Sequence, residues 1–271
     1  MIPRRSALLH FLLLPAACCL LPAAVSAQDP APIQDNSFLI EEAYNQEAGV
    51  VQHINAFSRA DGGMWAYAFT QEWPLGGITH QLSYSVPFVD AGAGAGIGDV
   101  AINYRHQLAG NHDARLLVAP RLTLLLPTGN ETGGRGSGAI GVQANLPLSV
   151  VLSRALVAHG NLGATLVPSA RGPLDTRATA TSINLGASAV WLARPWLNLV
   201  VEGIWLSEAA VLAEGTTEQQ ESAFINPGVR WAFNAGSVQV VPGVAYTVGV
   251  GPSSGDNGIF LYLSLEHAFR H

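Results

Sequence analysis

Hydrophobic and polar positions alternate with a period of two along most of the chain. In the segment 78–89, Leu82 and Val86 fall on one face and Ser83 and Ser85 fall on the other. A strand separates such positions onto two faces, whereas a helix, whose period is 3.6, mixes them. About twelve segments of this kind, each ended by glycine, proline or polar turn residues, are predicted as strands. They run over 49–59, 64–74, 78–89, 97–109, 113–127, 138–152, 154–168, 178–193, 195–207, 222–234, 237–250 and 258–270.

The lengths of the segments and of their connections indicate a membrane-spanning fold. Most segments hold the roughly ten residues that a tilted strand needs to cross a bilayer. Short connections (75–77, 110–112, 194–195 and 235–236) alternate with long ones (90–96, 128–137, 169–177 and 208–221). Outer-membrane barrels have short periplasmic turns and longer external loops. The predicted fold class is therefore all-β, a transmembrane antiparallel up-and-down β-barrel of about twelve strands.

Aromatic residues fall near the ends of the predicted strands, where interfacial girdles form in membrane barrels. Those beside short connections or the C-terminus are Trp73, Trp191, Trp196, Phe233 and Phe269, and those beside long connections are Phe57, Trp65, Phe88 and Trp205. The alternative is that they form the core of a soluble β-sandwich. Charged residues make up only 12% of the chain and hydrophobic residues 49%, which favours the membrane barrel.

Composition excludes two other classes of protein. After the first 30 residues, no stretch approaches the 18 apolar residues of a membrane-spanning helix. The formal net charge is -6 and no basic patch is present, so nucleic acid is not an expected partner.

The segment 1–27 has the pattern of a secretory signal peptide, with Arg4 and Arg5 before an apolar core. An alternative is lipoprotein processing at Cys18 or Cys19. Both cysteines lie inside this segment, so no disulfide, thiol nucleophile or thiolate metal site is expected in the mature chain.

Residues 28–48 form a separate N-terminal segment before the barrel predicted over 49–271. Asn36 or Ser37 is predicted to cap a short helix. Two interpretations stay open, a periplasmic segment packed under the barrel and a plug that enters the lumen. The candidate plug side chains are Phe38, Glu41, Glu42, Tyr44 and Glu47.

Several stretches point to a known family. They are SFLIEEAYNQE followed by GVVQH within residues 36–53, Gly98-Asp99-Val100 with Asn103-Tyr104-Arg105, and Pro120-Arg121 through Leu126-Pro127-Thr128-Gly129. These stretches resemble the outer-membrane family linked to the meta-pathway of phenol degradation, whose members are often described as transporters. The resemblance implies a barrel that takes part in the uptake of aromatic or other organic compounds.

If the aliphatic rows contact lipid, the polar rows face the lumen, because a charge at mid-bilayer costs about 2–4 kcal/mol. The candidate lumen-lining residues are Glu72, Asp99, Asn103, Arg105, Arg121, Gln143, Asn145, His159, Glu202, Arg230 and Glu266. On neighbouring strands, Arg105 is expected within reach of Arg121, and Glu202 within reach of Arg230. These groups form either a selective constriction or a mutually neutralised filling, and twelve strands are compatible with both.

Known site chemistries find little support. A lipase-type triad on the outer wall needs a serine beside His80, His106 or His267, and scarcely any serine lies mid-strand on that face. The glycine-rich stretch 129–136 differs from a phosphate-binding loop by Arg135 in the lysine position, and no helix is predicted after it. No catalytic residue, metal site or cofactor is therefore predicted.

The sequence predicts a bacterial outer-membrane channel or transporter for small organic molecules that is not an enzyme. The alternatives are a non-conducting structural barrel and, less favoured, an outer-membrane lipase. The expected partners are the lipid bilayer, small organic solutes and the outer-membrane assembly machinery. The last of these is expected because Phe269, near the end of the final strand, resembles the C-terminal aromatic signal of outer-membrane proteins.

Overall fold

A computed structural model describes residues 37–111 and 114–269, so the predicted signal peptide lies outside the described residues. The strands are β1 (Val50–Ala60), β2 (Trp65–Pro74), β3 (His80–Asp90), β4 (Gly96–Ile97), β5 (Val100–His106), β6 (Leu116–Val118), β7 (Arg121–Leu126), β8 (Gly141–Ser153), β9 (Leu156–Arg171), β10 (Arg177–Arg194), β11 (Leu197–Val211), β12 (Thr217–Trp231), β13 (Phe233–Ala235), β14 (Val238–Gly249) and β15 (Gly258–Ala268). Single turns of 3₁₀ helix lie at Glu131–Gly133, Pro173–Asp175 and Gly251–Ser253.

These segments build twelve barrel strands, because three barrel strands are interrupted. Both β4 and β5 pair with β3, both β6 and β7 pair with β8, and both β12 and β13 pair with β14. All pairings are antiparallel, and β1 pairs with β15, which closes the sheet on itself. The closed antiparallel barrel of twelve strands confirms the predicted fold class.

The two ends of the barrel differ. The end at which β1 begins and β15 finishes, here called the terminal end, carries tight turns at 154–155, 195–196 and 236–237. The opposite end, here called the loop end, carries the connections 127–140 and 250–257. The predicted loop 208–221 is wrong in part, because β11 continues to Val211 and β12 begins at Thr217. Residues 217–221 are exposed and polar, so their strand lacks the alternation that a lipid-facing strand shows.

The distribution of polarity is the reverse of that in a soluble protein. Leu122 and Leu162 are 64% and 55% exposed, whereas Glu202 and Arg230 are 1% and 2% exposed. Apolar side chains outside and polar side chains inside are the arrangement of an outer-membrane barrel. Trp191, Trp196, Phe233 and Phe269 are exposed near the terminal end, at the place predicted for one aromatic girdle. None of the helices among the described residues has the length and apolar character needed to cross a membrane.

The N-terminal segment differs from its prediction. Residues 37–48 contain bends and extended backbone instead of a helix. The physical reason is that several backbone N–H groups of this segment donate to side chains of the barrel wall, which replace the carbonyl four residues earlier that a helix would offer. Most of these residues are buried, so the segment lies within the barrel.

Candidate functional site

Residues 37–47, here called the docked segment, are held in the barrel by one carboxylate of the wall. Oε1 of Glu202 accepts hydrogen bonds from the backbone N–H groups of Phe38, Leu39 and Ile40 at 2.8, 2.9 and 3.1 Å. Asn226 Nδ2 donates to the second oxygen of the same carboxylate at 2.9 Å. Three successive N–H groups around one anion form a concave anion site. Glu202 therefore fixes the start of the docked segment.

Side chains from other strands bind the rest of the backbone in the same way. Glu41 N donates to Asn161 Oδ1 at 2.8 Å, Ala43 N donates to Ser149 Oγ at 2.8 Å, and Gln46 N donates to Gln81 Oε1 at 2.7 Å. Asn161 Nδ2 also donates to the carbonyl oxygen of Glu41 at 2.7 Å. Wall side chains thus satisfy backbone groups that would be costly to bury alone.

Glu41 lies between two arginines of neighbouring strands. Its carboxylate is 3.1 Å from Nη1 of Arg105 and 3.3 Å from Nε of Arg121, and Asn145 Nδ2 donates to it at 2.9 Å. Burial acts to raise the pKa of Glu41, but the charges of Arg121 and Arg105 and the two hydrogen bonds outweigh it, so this pKa lies below its ordinary value. Glu41 is therefore charged at neutral pH.

Arg105 makes several hydrogen bonds to the docked segment. Its side chain is 3% exposed, and Nε donates to Asn45 Oδ1 at 2.8 Å. Its terminal nitrogens also donate to the backbone carbonyl oxygens of Glu42 and Tyr44, and Nη2 lies 3.8 Å from the carboxylate of Glu72. The planar guanidinium has donors in several directions, so one side chain can bind several successive residues of the docked segment.

Glu42 joins a second buried polar cluster. Oε1 of Glu42 is 3.4 Å from Arg230 Nη2 and 3.6 Å from His159 Nε2, and His159 Nδ1 is 2.7 Å from Ser149 Oγ. The order Ser149, His159, Glu42 is that of a hydrolytic triad. Ser149 is fully buried and already accepts the N–H of the docked segment, so this arrangement holds the segment. Burial and the charge of Glu42 raise the pKa of Tyr44 to about 12, which keeps its hydroxyl neutral.

Glycines in the wall make room for the apolar side chains of the docked segment. Phe38 packs against Phe260 and Tyr262, with ring centroids 5.7 and 5.8 Å apart. A Cβ atom at Gly243 would lie 2.5 Å from the Phe38 ring. A Cβ atom at Gly186 would collide with the side chain of Ile40. Side chains larger than hydrogen at these positions would push the segment away from the wall.

A cavity of about 510 Å³ lies above the docked segment, on the side of the loop end. Its lining includes the segment itself together with polar and apolar residues of the wall: Phe38, Ile40, Glu41, Glu72, Asn103, Arg121, Gln143, Asn145, Ser182, Ile204, Leu206, Glu208 and Tyr262. The mixture of hydroxyl, amide, charged and hydrocarbon groups suits a small organic molecule with both polar and apolar parts.

The structure places most of the lumen-lining candidates around the docked segment or this cavity. Arg105 and Arg121 are directly opposite in register and share Glu41, in line with the expected proximity. Glu202 and Arg230 lie on adjacent strands but are not opposite in register, because Glu202 is opposite Asn226 and Arg230 is opposite Asn198. Each side chain contacts a different residue of the docked segment. Glu202 accepts a hydrogen bond from Phe38 N, and Arg230 lies beside the carboxylate of Glu42.

Three candidates lie toward the two ends of the barrel. The prediction for Asp99 is wrong, because it lies between β4 and β5 and accepts hydrogen bonds from Gly129 N and Ser137 N of the long loop. Glu266 is half-buried near the terminal end, opposite Gln52 in register. Glu47 is exposed, and its carbonyl oxygen accepts the N–H of Val50 where the segment joins β1.

Sequence reasoning missed the residues that position the docked segment. Gln81, Ser149 and Ser188 are not among the candidate site residues, yet each contacts the segment. The sequence does contain one signal for the docked segment, the inward-facing glycines Gly186 and Gly243. A glycine on the polar row of a strand leaves space for another stretch of chain to pack against the wall.

Comparison with known proteins supports the fold. No family model matches the sequence, and no curated protein matches it. Among solved structures, an outer membrane channel from Pseudomonas putida F1 is 13% identical and superposes with a TM-score of 0.60, covering 88% of this chain and 100% of that chain. The NanC porin is 7% identical with a TM-score of 0.53, covering 81% of this chain and 100% of that one. At these identities the similarity shows that the chain has the fold of an outer-membrane channel.

Proposed function

We propose that the protein is an outer-membrane channel for small organic molecules in a Gram-negative bacterium, and that its docked segment acts as a plug. The observation that carries the proposal is the cavity of about 510 Å³ inside the closed barrel, whose floor is formed by the docked segment. Its volume lies in the range of small-molecule binding sites, about 300–1,000 Å³. The fold shared with an outer membrane channel and a porin supports the same function.

The cavity favours solutes with both polar and apolar groups. Arg121 carries positive charge there, but Glu41, Glu72 and Glu208 line the same space, so the walls have no excess of positive charge. Ile204 and Leu206 add apolar surface. A neutral organic compound with a few hydrogen-bonding groups fits this lining better than a strong anion. The resemblance to the phenol meta-pathway family agrees with an organic, including an aromatic, solute.

Passage through the barrel requires the docked segment to move. The segment follows a polar row of barrel side chains, and its hydrogen bonds reach strands from β3 to β12. Charge-assisted hydrogen bonds contribute about 1.5–3 kcal/mol each, so several of them make the docked state dominant at rest. We therefore expect low solute flux in the mature chain and higher flux when the segment is removed.

The test compares two refolded proteins, the mature chain and a version that lacks residues 28–48. Liposome-swelling rates with neutral aromatic and aliphatic solutes, and single-channel recordings, are measured for both. The proposal predicts slow swelling for the mature chain and faster swelling with a larger conductance for the truncated one. If neither protein conducts although both show the gel-shift of a folded barrel, the channel proposal fails and a structural barrel is favoured.

A structural, non-conducting barrel is the second candidate function. It is favoured by the neutralising contacts of Glu41 and Glu42 with three arginines, which fill part of the lumen. The triad-like order of Ser149, His159 and Glu42 is tested separately by esterase assays on the folded protein with and without the Ser149→Ala substitution. Turnover that disappears with this substitution would refute the proposal that the protein is not an enzyme.

The location of the C-terminal residues agrees with the proposed use of the outer-membrane assembly machinery. β15 is the last barrel strand, and Phe269 N donates to Gly49 O at 2.8 Å where the two ends of the barrel meet. The Phe269→Ala substitution is expected to lower the amount of folded protein in the outer membrane, as measured by heat-modifiability of membrane fractions.

A further inference from the structure

Two histidines face each other on the outer wall, across the line where the first and last strands meet. His53 belongs to β1 and His267 belongs to β15, near the terminal end. Gln52 and Ser264 lie on the buried inner rows, one and three residues from His53 and His267, so the two histidines are on the opposite, outward rows of their strands. The Nε2 atoms are 3.3 Å apart, and the rings lie nearly parallel with centroids 5.4 Å apart.

The second nitrogen of His267 determines which lone pair is available. Nδ1 of His267 lies 3.0 Å from the backbone carbonyl oxygen of Ala268. A carbonyl oxygen only accepts hydrogen bonds, so Nδ1 of His267 carries the proton and its Nε2 accepts the hydrogen bond that Nε2 of His53 donates. Donation from the other ring nitrogen to a backbone carbonyl is the usual arrangement for a histidine that binds metal. The ring of Phe69 also lies beside His53, with ring centroids 6.2 Å apart and an angle of 24° between the planes.

The spacing of the two nitrogens fits one metal ion. A zinc ion bonds imidazole nitrogen at about 2.0–2.1 Å in tetrahedral geometry, which puts two such nitrogens about 3.3–3.4 Å apart. The observed separation of 3.3 Å matches this distance, and on binding the ion takes the place of the Nε2 proton of His53, which moves to Nδ1 of the same ring. We propose that His53 and His267 form a two-histidine chelate for a divalent transition metal such as Zn²⁺, Cu²⁺ or Ni²⁺, the ions that imidazole ligands suit.

The chelate supplies half of the usual ligand set. Among residues 37–111 and 114–269, no group of three or more His, Cys, Asp and Glu side chains is arranged for a metal, so water completes the coordination. With two protein ligands instead of the four of a structural zinc site, the expected dissociation constant is on the order of 10⁻⁵ M. Because the ligands come from β1 and β15, a bound ion would connect the two strands whose pairing closes the barrel.

The test uses the mature protein refolded in detergent, without a polyhistidine tag. Cu²⁺ is titrated and followed by electron paramagnetic resonance, and Zn²⁺ is titrated in competition. One Cu²⁺ per barrel, with the hyperfine pattern of two imidazole nitrogens, is expected. His53→Gln and His267→Gln should each weaken binding at least tenfold and leave a one-nitrogen pattern. Heat-modifiability in gels shows that each variant is folded.

A second histidine pair supplies the matched control. His80 and His106 are opposite each other on β3 and β5, with ring centroids 5.0 Å apart, and Nδ1 of His80 is 2.6 Å from the hydroxyl of Tyr104. His80→Gln removes one outward histidine and leaves the proposed chelate intact, so its Cu²⁺ affinity should equal that of the unmodified protein. The proposal is overturned if His80→Gln alone abolishes the two-nitrogen signal, or if the His53 and His267 variants bind as tightly as the unmodified protein.

Discussion

Replacing Phe38 with alanine tests whether apolar packing holds the docked segment. The Phe38 side chain is 8% exposed and packs against Phe260 and Tyr262. A buried Phe→Ala change costs about 3–5 kcal/mol in a well-packed core. We use the lower limit, because a small segment can adjust when the ring is removed. About 3 kcal/mol corresponds to a roughly hundredfold increase in the population of the undocked segment.

Limited proteolysis of the folded protein in detergent measures this population. When undocking and redocking are fast, the cleavage rate is proportional to the undocked fraction. We therefore expect the segment to be cleaved about a hundredfold faster in the Phe38→Ala variant, with a parallel increase in open-channel events.

The matched control is Phe57→Ala, which removes the same side chain from the outer wall, where Phe57 stacks on Trp65 with ring centroids 6.1 Å apart. This variant should leave the cleavage rate unchanged. If Phe38→Ala is cleaved within a factor of about two of the unmodified rate while the barrel stays folded, the packing argument is refuted.

Three further predictions concern the same segment. Because the pKa of Glu41 is lowered from 4.5, its stabilising charge is fully present above that value and is lost as the pH falls through the lowered pKa. Acid should therefore speed cleavage of the segment. In the Glu41→Gln variant, which has no charge to lose at this position, the same change in pH should have a smaller effect. Gly186→Leu should speed cleavage about tenfold through steric overlap with the segment, whereas Gly203→Ala, where a Cβ atom meets nothing within 4 Å, should have no effect. Arg105→Gln should destabilise docking by about 2–5 kcal/mol, because the partners of a buried guanidinium lose their donors. Arg121→Gln should destabilise docking less, because the Arg121 side chain is 24% exposed. Cleavage rates of the segment measure both effects.

The alternation of the sequence predicted the strands because lipid on one side and a polar lumen on the other impose opposite chemistry on successive residues. Where that difference disappears, the prediction failed. Residues 217–221 are polar on both faces, and they were predicted as loop although they belong to β12. Likewise, the period of two places Asp99 on a polar row. The strand is interrupted between β4 and β5, however, and Asp99 accepts a hydrogen bond from Gly129 of the loop 127–140 at the loop end.

The contacts of the docked segment were not predictable in the same way. Acidic residues after Ser37 are typical of the first turn of a helix, which is why a helix was expected there. The acceptors that replace helical hydrogen bonds come from Glu202 and Asn161, more than a hundred residues further along the chain. Local spacing carries no information about such partners. The sequence therefore indicated which polar and aromatic side chains the segment offers, but it did not predict the conformation of the segment.

The way in which the segment is anchored also sets an order of events in time. It precedes the barrel in the chain and so leaves the ribosome earlier, yet its partners Gln81, Arg105, Ser149 and Glu202 are contributed by β3, β5, β8 and β11. These strands lie around the barrel, and the closed sheet brings their side chains together. The docked segment can therefore complete its contacts only when β3, β5, β8 and β11 are all in place around it.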